Sequence, residues 1–149
     1  MQIDFFSRVW YNKAEMRDTM LEKIFTTVQK PVRYIGGEYG AIYKNPKDVK
    51  IRFAMCFPDL YEVGMSHLGM RILYHLKNTR EDTWCERAFM PWDDMMEEME
   101  KHDLPLFALE SRDPLGVFDM LGFSLQYEMS YTNVLEMLRL SRIPLKSAD

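Results

Sequence analysis

Ile51-Arg52-Phe53-Ala54-Met55-Cys56-Phe57-Pro58 is the stretch on which the fold turns. Apolar and aromatic residues dominate this run, which fits a strand with both faces covered. Pro58 closes it, because proline brings no N–H to a ladder. Downstream, Met65, Leu68, Gly69, Ile72, Leu73 and Leu76 recur at helical spacing, predicting a helix with these residues inward. Thr83 to Met90 reads as a second strand. Pro91 then opens a short acidic helix, Trp92 to His102, with Met95, Met96 and Met99 inward. Pro105 to Glu110 reads as a third strand and Asp119 to Gln126 as a fourth. Tyr131 to Ser141 closes the series as a helix with Val134, Met137, Leu138 and Ser141 inward.

Strands alternating with helices predict a mainly parallel α/β sheet with flanking helices, Rossmann-like or flavodoxin-like. Four strands in the order 3-2-1-4 are expected, with right-handed crossovers. The strand order then reverses between the first and fourth strands. Ligands of such sheets bind there, outside the carboxyl ends of the strands.

Upstream, Met16, Met20, Leu21, Ile24 and Val28 make one apolar stripe on a helix. Asn12 and Glu15 have the spacing of a capping box at its start, and Pro31 is expected to stop it. Such a stripe needs a partner surface, from its own core or from another chain. Gly36-Gly37 marks a turn, Ala41 to Lys44 fits an edge strand, and Asn45 to Asp48 is a further turn. Residues 1–49 are therefore read as an N-terminal extension, and 50–149 as the α/β domain.

Composition narrows the class. The chain has 149 residues, 47% hydrophobic and 28% charged, which is that of a globular domain and excludes disorder. No apolar run reaches the length of a membrane span, and Met1 to Arg8 lack the charged start and apolar core of a secretory signal. A formal net charge of −4 leaves no basic footprint for nucleic acid. Two cysteines, Cys56 and Cys85, are too few for a disulfide framework, so a cytoplasmic protein is expected. They are also too few to hold an iron–sulfur cluster.

Several motifs in order carry a family resemblance. They are Lys30-Pro31-Val32-Arg33-Tyr34-Ile35-Gly36-Gly37-Glu38, Phe57 to Gly69, Pro91-Trp92-Asp93, Pro105 to Ser111, Phe118-Asp119 with Gly122 to Glu128, Ser130 to Leu135, and Ile143-Pro144-Leu145. From Lys30 onward the chain resembles the N-terminal cobalamin-binding-like domain of a family of radical S-adenosylmethionine (radical SAM) proteins. The resemblance implies further strands after Ile-Pro-Leu, then a barrel with a Cys-x-x-x-Cys-x-x-Cys motif that carries a four-iron four-sulfur cluster and S-adenosylmethionine. Cys56 and Cys85 do not match that motif. The expectation is a truncated domain, from a fragment or one half of a split gene, with cobalamin as its possible cofactor.

Two loops carry the candidate binding residues. After the first strand come Tyr61, Glu62, Gly64, Ser66 and His67, where Gly64 permits close approach and the following helix start offers free N–H groups. The plainer reading is a helix start, with Asp59 and Glu62 at capping-box spacing. After the fourth strand come Ser124, Gln126, Tyr127 and Glu128, able to hydrogen-bond or to stack on a planar ligand. Its plainer reading is a helix cap, with Ser130 as the cap.

Other chemistry is weaker. The cobalamin pattern Asp-x-His-x-x-Gly is absent around His67, since Met65 stands two before it and Gly69 only two after. Gly64-Met65-Ser66-His67-Leu68-Gly69 misses the nucleophile elbow Gly-x-Ser-x-Gly by one position. Glu110, Ser111, Arg112 and Asp113 precede a proline turn, and the run Asp93 to Asp103 reads as a solvated acidic face near a helix start. No catalytic or metal-binding residue is assigned.

The reading is thus an accessory cofactor- or substrate-binding domain, not catalytic by itself, whose partner is a radical SAM barrel in cis or in trans. The alternative is an interaction module that forms a homo-oligomer through an unpaired fourth-strand edge and the Met16–Val28 stripe.

Overall fold

The computed structural model describes the backbone of residues 5–146 and the side chains of residues 15–146. Residues 1–4 of the Met1 to Arg8 stretch read as lacking a secretory signal, and the side chain of Asn12, lie outside the described residues. The sheet is parallel and three-stranded: β1 (Ile51–Phe57) lies between β2 (Thr83–Phe89) and β3 (Met120–Phe123). Ile51 pairs with Thr83 and Phe57 with Phe89, while Phe53 pairs with Met120 and Cys56 with Phe123.

The expected four-strand sheet in the order 3-2-1-4 is corrected here. Residues 105–110 form no strand, and Phe107 makes only an isolated bridge to Pro114. The segment still runs beside β2, with the Leu109 N–H donating to the Arg87 carbonyl at 2.7 Å. One step on, the Glu110 carboxylate accepts the Arg87 N–H at 2.7 Å, where a strand would use a carbonyl. Other side chains close the rest of that edge. Asn78 on α4 (Leu68–Asn78) holds both the N–H and the carbonyl of Cys85 at 2.9 Å, and the Lys44 ammonium donates to the Thr83 carbonyl. The edge is satisfied with no fourth strand, as buried backbone polar groups require.

Period-two alternation sends β1 and β2 to two cores. On one face Met55, Phe57, Cys85 and Phe89 meet Met70 and Tyr74 of α4. On the other, Ala54, Cys56 and Ala88 meet Leu21, Ile24 and Phe25 of α1 (Phe5–Phe25), with Met95 and Met99 of α5 (Asp93–Lys101) and Met137 and Leu140 of α6 (Ser130–Leu140). Each Leu, Ile, Phe or Met side chain among them contributes roughly 1.5–3 kcal/mol when fully buried. The α1 stripe therefore has its partner in its own chain; only Met16 of the stripe is exposed.

Several local expectations change. Asn12 lies inside α1 rather than at its start, and α1 ends at Phe25, before Pro31. Pro31 instead leads into a short helix, α2 (Val32–Ile35). Residues 41–44 are irregular. Gly36 has φ 76°, and a Cβ there would stand 2.6 Å from the Leu109 carbonyl oxygen, so the turn needs glycine for two reasons. The largest change is in α4: Leu68, Ile72, Leu73 and Leu76 are exposed, and the buried row is Met70, Tyr74 and Asn78. That row wins because its polar groups are needed inside. Besides the Asn78 bonds to β2, the Tyr74 hydroxyl accepts the Ile42 N–H at 2.7 Å.

Cys56 and Cys85 are both buried and unpaired, and burial pushes each thiol up to about 12. Neither is a reactive thiolate at neutral pH.

Candidate functional site

The strand order reverses between β1 and β3, and the loops leaving these strands meet there. His67 caps α4: its Nδ1 accepts the Met70 N–H at 3.2 Å. With Nδ1 accepting, the ring proton sits on Nε2, which donates to the Gln126 Oε1 at 3.0 Å. The Gln126 amide nitrogen then donates to the Ser124 Oγ at 2.8 Å. The Ser124 N–H binds the Cys56 carbonyl, and the Asn133 amide of α6 binds the Pro58 carbonyl at 3.0 Å. His67, Gln126 and Ser124 thus form one directional chain between the two loops. Among the described residues the Ser124 hydroxyl proton and one Gln126 amide proton have no acceptor and can serve a ligand. Exposed Leu68, Leu125, Tyr127, Met129 and Tyr131 border it with apolar surface.

The other expected residues take different places. Tyr127 and Glu128 are exposed, and their carbonyls accept the Ser130 and Tyr131 N–H groups at the start of α6. Ser130 is buried in the first turn rather than capping, and the residue before the helix, Met129, makes no side-chain cap bond. The preceding loop holds α3 (Tyr61–Ser66), whose cap position is Leu60 rather than Asp59. Glu62 points toward the N-terminal segment, bound by Arg33 at 2.9 Å and Lys30 at 3.5 Å. The Arg33 hydrogen bond holds the Glu62 carboxyl below its ordinary range. The Tyr61 hydroxyl donates to Glu38 at 3.2 Å, and its ring packs edge-on against Phe89. Burial, then the Glu38 charge, pushes the Tyr61 phenol up.

Gly64 is a packing position. A Cβ would stand 2.4 Å from Phe89 Cε1. Exposed Ser66 donates to its own helix at the Val63 carbonyl, and the ring nitrogens of neighbouring His67 are engaged by Met70 and Gln126 instead. The elbow reading has no structural counterpart.

Two arginine centres, Arg87 buried and Arg52 half-buried, were not read from the sequence, although a signal was there: charges inside apolar strands. Arg87 binds Glu110 through Nε at 2.6 Å and Glu38 through Nη2 at 3.1 Å, over the Tyr74 ring. Burial pushes the Glu110 carboxyl up, against the pull of Arg87. On the opposite face, Arg52 binds Glu86 at 2.6 Å and Asp113 at 2.8 Å between the rings of Trp84 and Phe118. The second Glu86 oxygen accepts the Ser111 N–H. These centres staple the 110–113 turn to β2. Among the described residues, no group of three or more His, Cys, Asp or Glu is placed to hold a metal ion, and no helix is long and apolar enough to cross a membrane.

The sequence model of the family described as "Radical SAM proteins, N-terminal" matches residues 69–149, more than half of the chain. No curated protein and no solved structure matches it.

Proposed function

Because the chain belongs to the family of N-terminal domains of radical SAM proteins, we propose that it is an accessory domain that binds a cofactor or substrate at the β1–β3 switch point, and that it positions this ligand for a radical SAM barrel in cis or in trans. The observation that carries the reading is the His67–Gln126–Ser124 chain, which ties both switch-point loops together and leaves donors facing outward. Its groups hold and orient; none is a nucleophile or an acid–base pair.

Cobalamin is the cofactor this reading favours. The free donors of Ser124 and Gln126 suit the amide carbonyls of a corrin edge, and exposed Leu125, Tyr127, Met129 and Tyr131 suit its apolar face. Both ring nitrogens of His67 are engaged, Nδ1 with the Met70 N–H, so binding is proposed without a histidine ligand to cobalt. When bound, cobalamin supplies cobalt-centred methyl or radical chemistry. Titration of hydroxocobalamin into the chain, followed by visible absorbance and calorimetry, tests this. Saturable binding is expected, weakened about tenfold in Gln126→Ala, the size of one lost ligand hydrogen bond with its orientation. No saturable binding, or equal binding by the variant, overturns the cobalamin reading.

A second reading, self-association, is favoured by a different observation. The outer edge of β3 has no strand or side-chain partner among the described residues, whereas that of β2 is closed. The exposed apolar row of α4 lies on the same face as half-exposed Met120.

A further inference from the structure

On the α4 face of β2, a cavity of about 320 Å³ opens between α4 and the loop after α2, within the range of ligand pockets. It shares no residue with the His67–Gln126–Ser124 chain. Arg71, His75 and Arg87 line it with Tyr39 and Tyr74, and no aspartate or glutamate does. Arg87 is 6% exposed. Its Nε and Nη2 are held by Glu110 and Glu38, neither of which lines the cavity. Among the described residues its Nη1 has only the Met65 thioether, at 3.2 Å. A thioether is a weak acceptor, so this buried cationic donor is under-used. Arg71 is exposed and makes no side-chain hydrogen bond or ion pair among the described residues.

We propose that this cavity binds a small organic oxyanion, carboxylate or phosphate. The Arg87 Nη1 exchanges its thioether for an anionic oxygen, a charge-assisted bond roughly twice as strong as a neutral one. Arg71 takes a second oxygen at the mouth, and the tyrosine rings border the carbon skeleton. No covalent step is involved.

The test is methionine-methyl NMR on the whole chain, with the Met65 signal assigned through Met65→Leu, and with benzoate, inorganic phosphate and neutral benzamide as probes. A saturable shift of the Met65 methyl with benzoate or phosphate, and none with benzamide, is expected. Saturation by benzoate alone assigns a carboxylate; by phosphate alone, a phosphate. Arg71→Ala, at an exposed position, is expected to keep the parent unfolding curve and weaken binding about tenfold. No saturable shift with either anion, an equal shift with benzamide, or unchanged affinity in Arg71→Ala overturns the proposal. The cobalamin titration reads the other site, so the two proposals fail separately.

Discussion

Gly64 shows how one residue type serves two readings. In the sequence it stands between a strand and a helix with polar neighbours, a setting where glycine often admits a ligand. In the structure its hydrogen faces the Phe89 ring, with Phe57 Cδ1 3.1 Å from where a Cβ would stand. Both rings belong to the buried cluster under α3 and α4. Gly64→Ala is therefore expected to destabilise the fold by about 1–3 kcal/mol through overpacking. Urea unfolding checks this. A variant as stable as the parent, but defective in ligand binding, would restore the ligand-approach reading. His67 is the reverse case. It caps α4, a role the sequence reading gave to Asp59 and Glu62 at the helix start, and its other nitrogen reaches Gln126. Single-residue spacing cannot reveal that partner, which lies 59 residues away in the chain.

At the scale of elements, the strands and helices after residue 50 were legible because strong periodicity and proline stops mark them. Two features were not. The first is which side of α4 faces inward. The apolar row Leu68, Ile72, Leu73 and Leu76 carries the stronger hydrophobic signal, but the buried row includes Tyr74 and Asn78. Periodicity counts apolar residues and cannot see that β2 needs polar groups along its edge. Asn78→Ala removes both partners of the Cys85 peptide groups. Each of the two buried groups left unsatisfied costs about 1–3 kcal/mol, so a loss of about 2–6 kcal/mol is expected. Leu73→Ala, on the exposed side, is expected to stay within about 0.5 kcal/mol of the parent. Urea unfolding of the two variants ranks them; the opposite order would return the Leu row to the interior. The second feature is the third strand. Pro105 to Glu110 has strand composition, and all residues from Leu106 to Glu110 are buried. Its ladder is cut short because the Glu110 carboxylate takes the Arg87 N–H and its other oxygen takes the guanidinium. The charge in an otherwise apolar run was the visible clue.

For the whole molecule, the two outer edges of the sheet are unequal. The β2 edge is closed by Lys44, Asn78, Leu109 and Glu110. The β3 edge is open among the described residues, and Met120, which begins that strand, is 53% exposed. An unpaired edge beside apolar surface is a template for another strand. Two copies related by a two-fold axis can pair β3 with β3 in an isologous contact. Of the two surfaces expected from sequence, the fourth-strand edge and the Met16–Val28 stripe, this contact uses the first, because the stripe apart from Met16 is spent on the chain's own core. Sedimentation velocity is therefore expected to show a concentration-dependent dimer of the 17.8 kDa chain. Met120→Lys places a charge on that face at the edge, a device by which natural edge strands resist pairing. It is expected to shift the chain to monomer without changing its unfolding curve. Met16→Lys, at an exposed position on α1, is the control and is expected to leave the dimer intact. A parent chain that stays monomeric at every concentration would remove self-association from the functions of this surface, and loss of the dimer in Met16→Lys alone would move the interface from the β3 edge to α1.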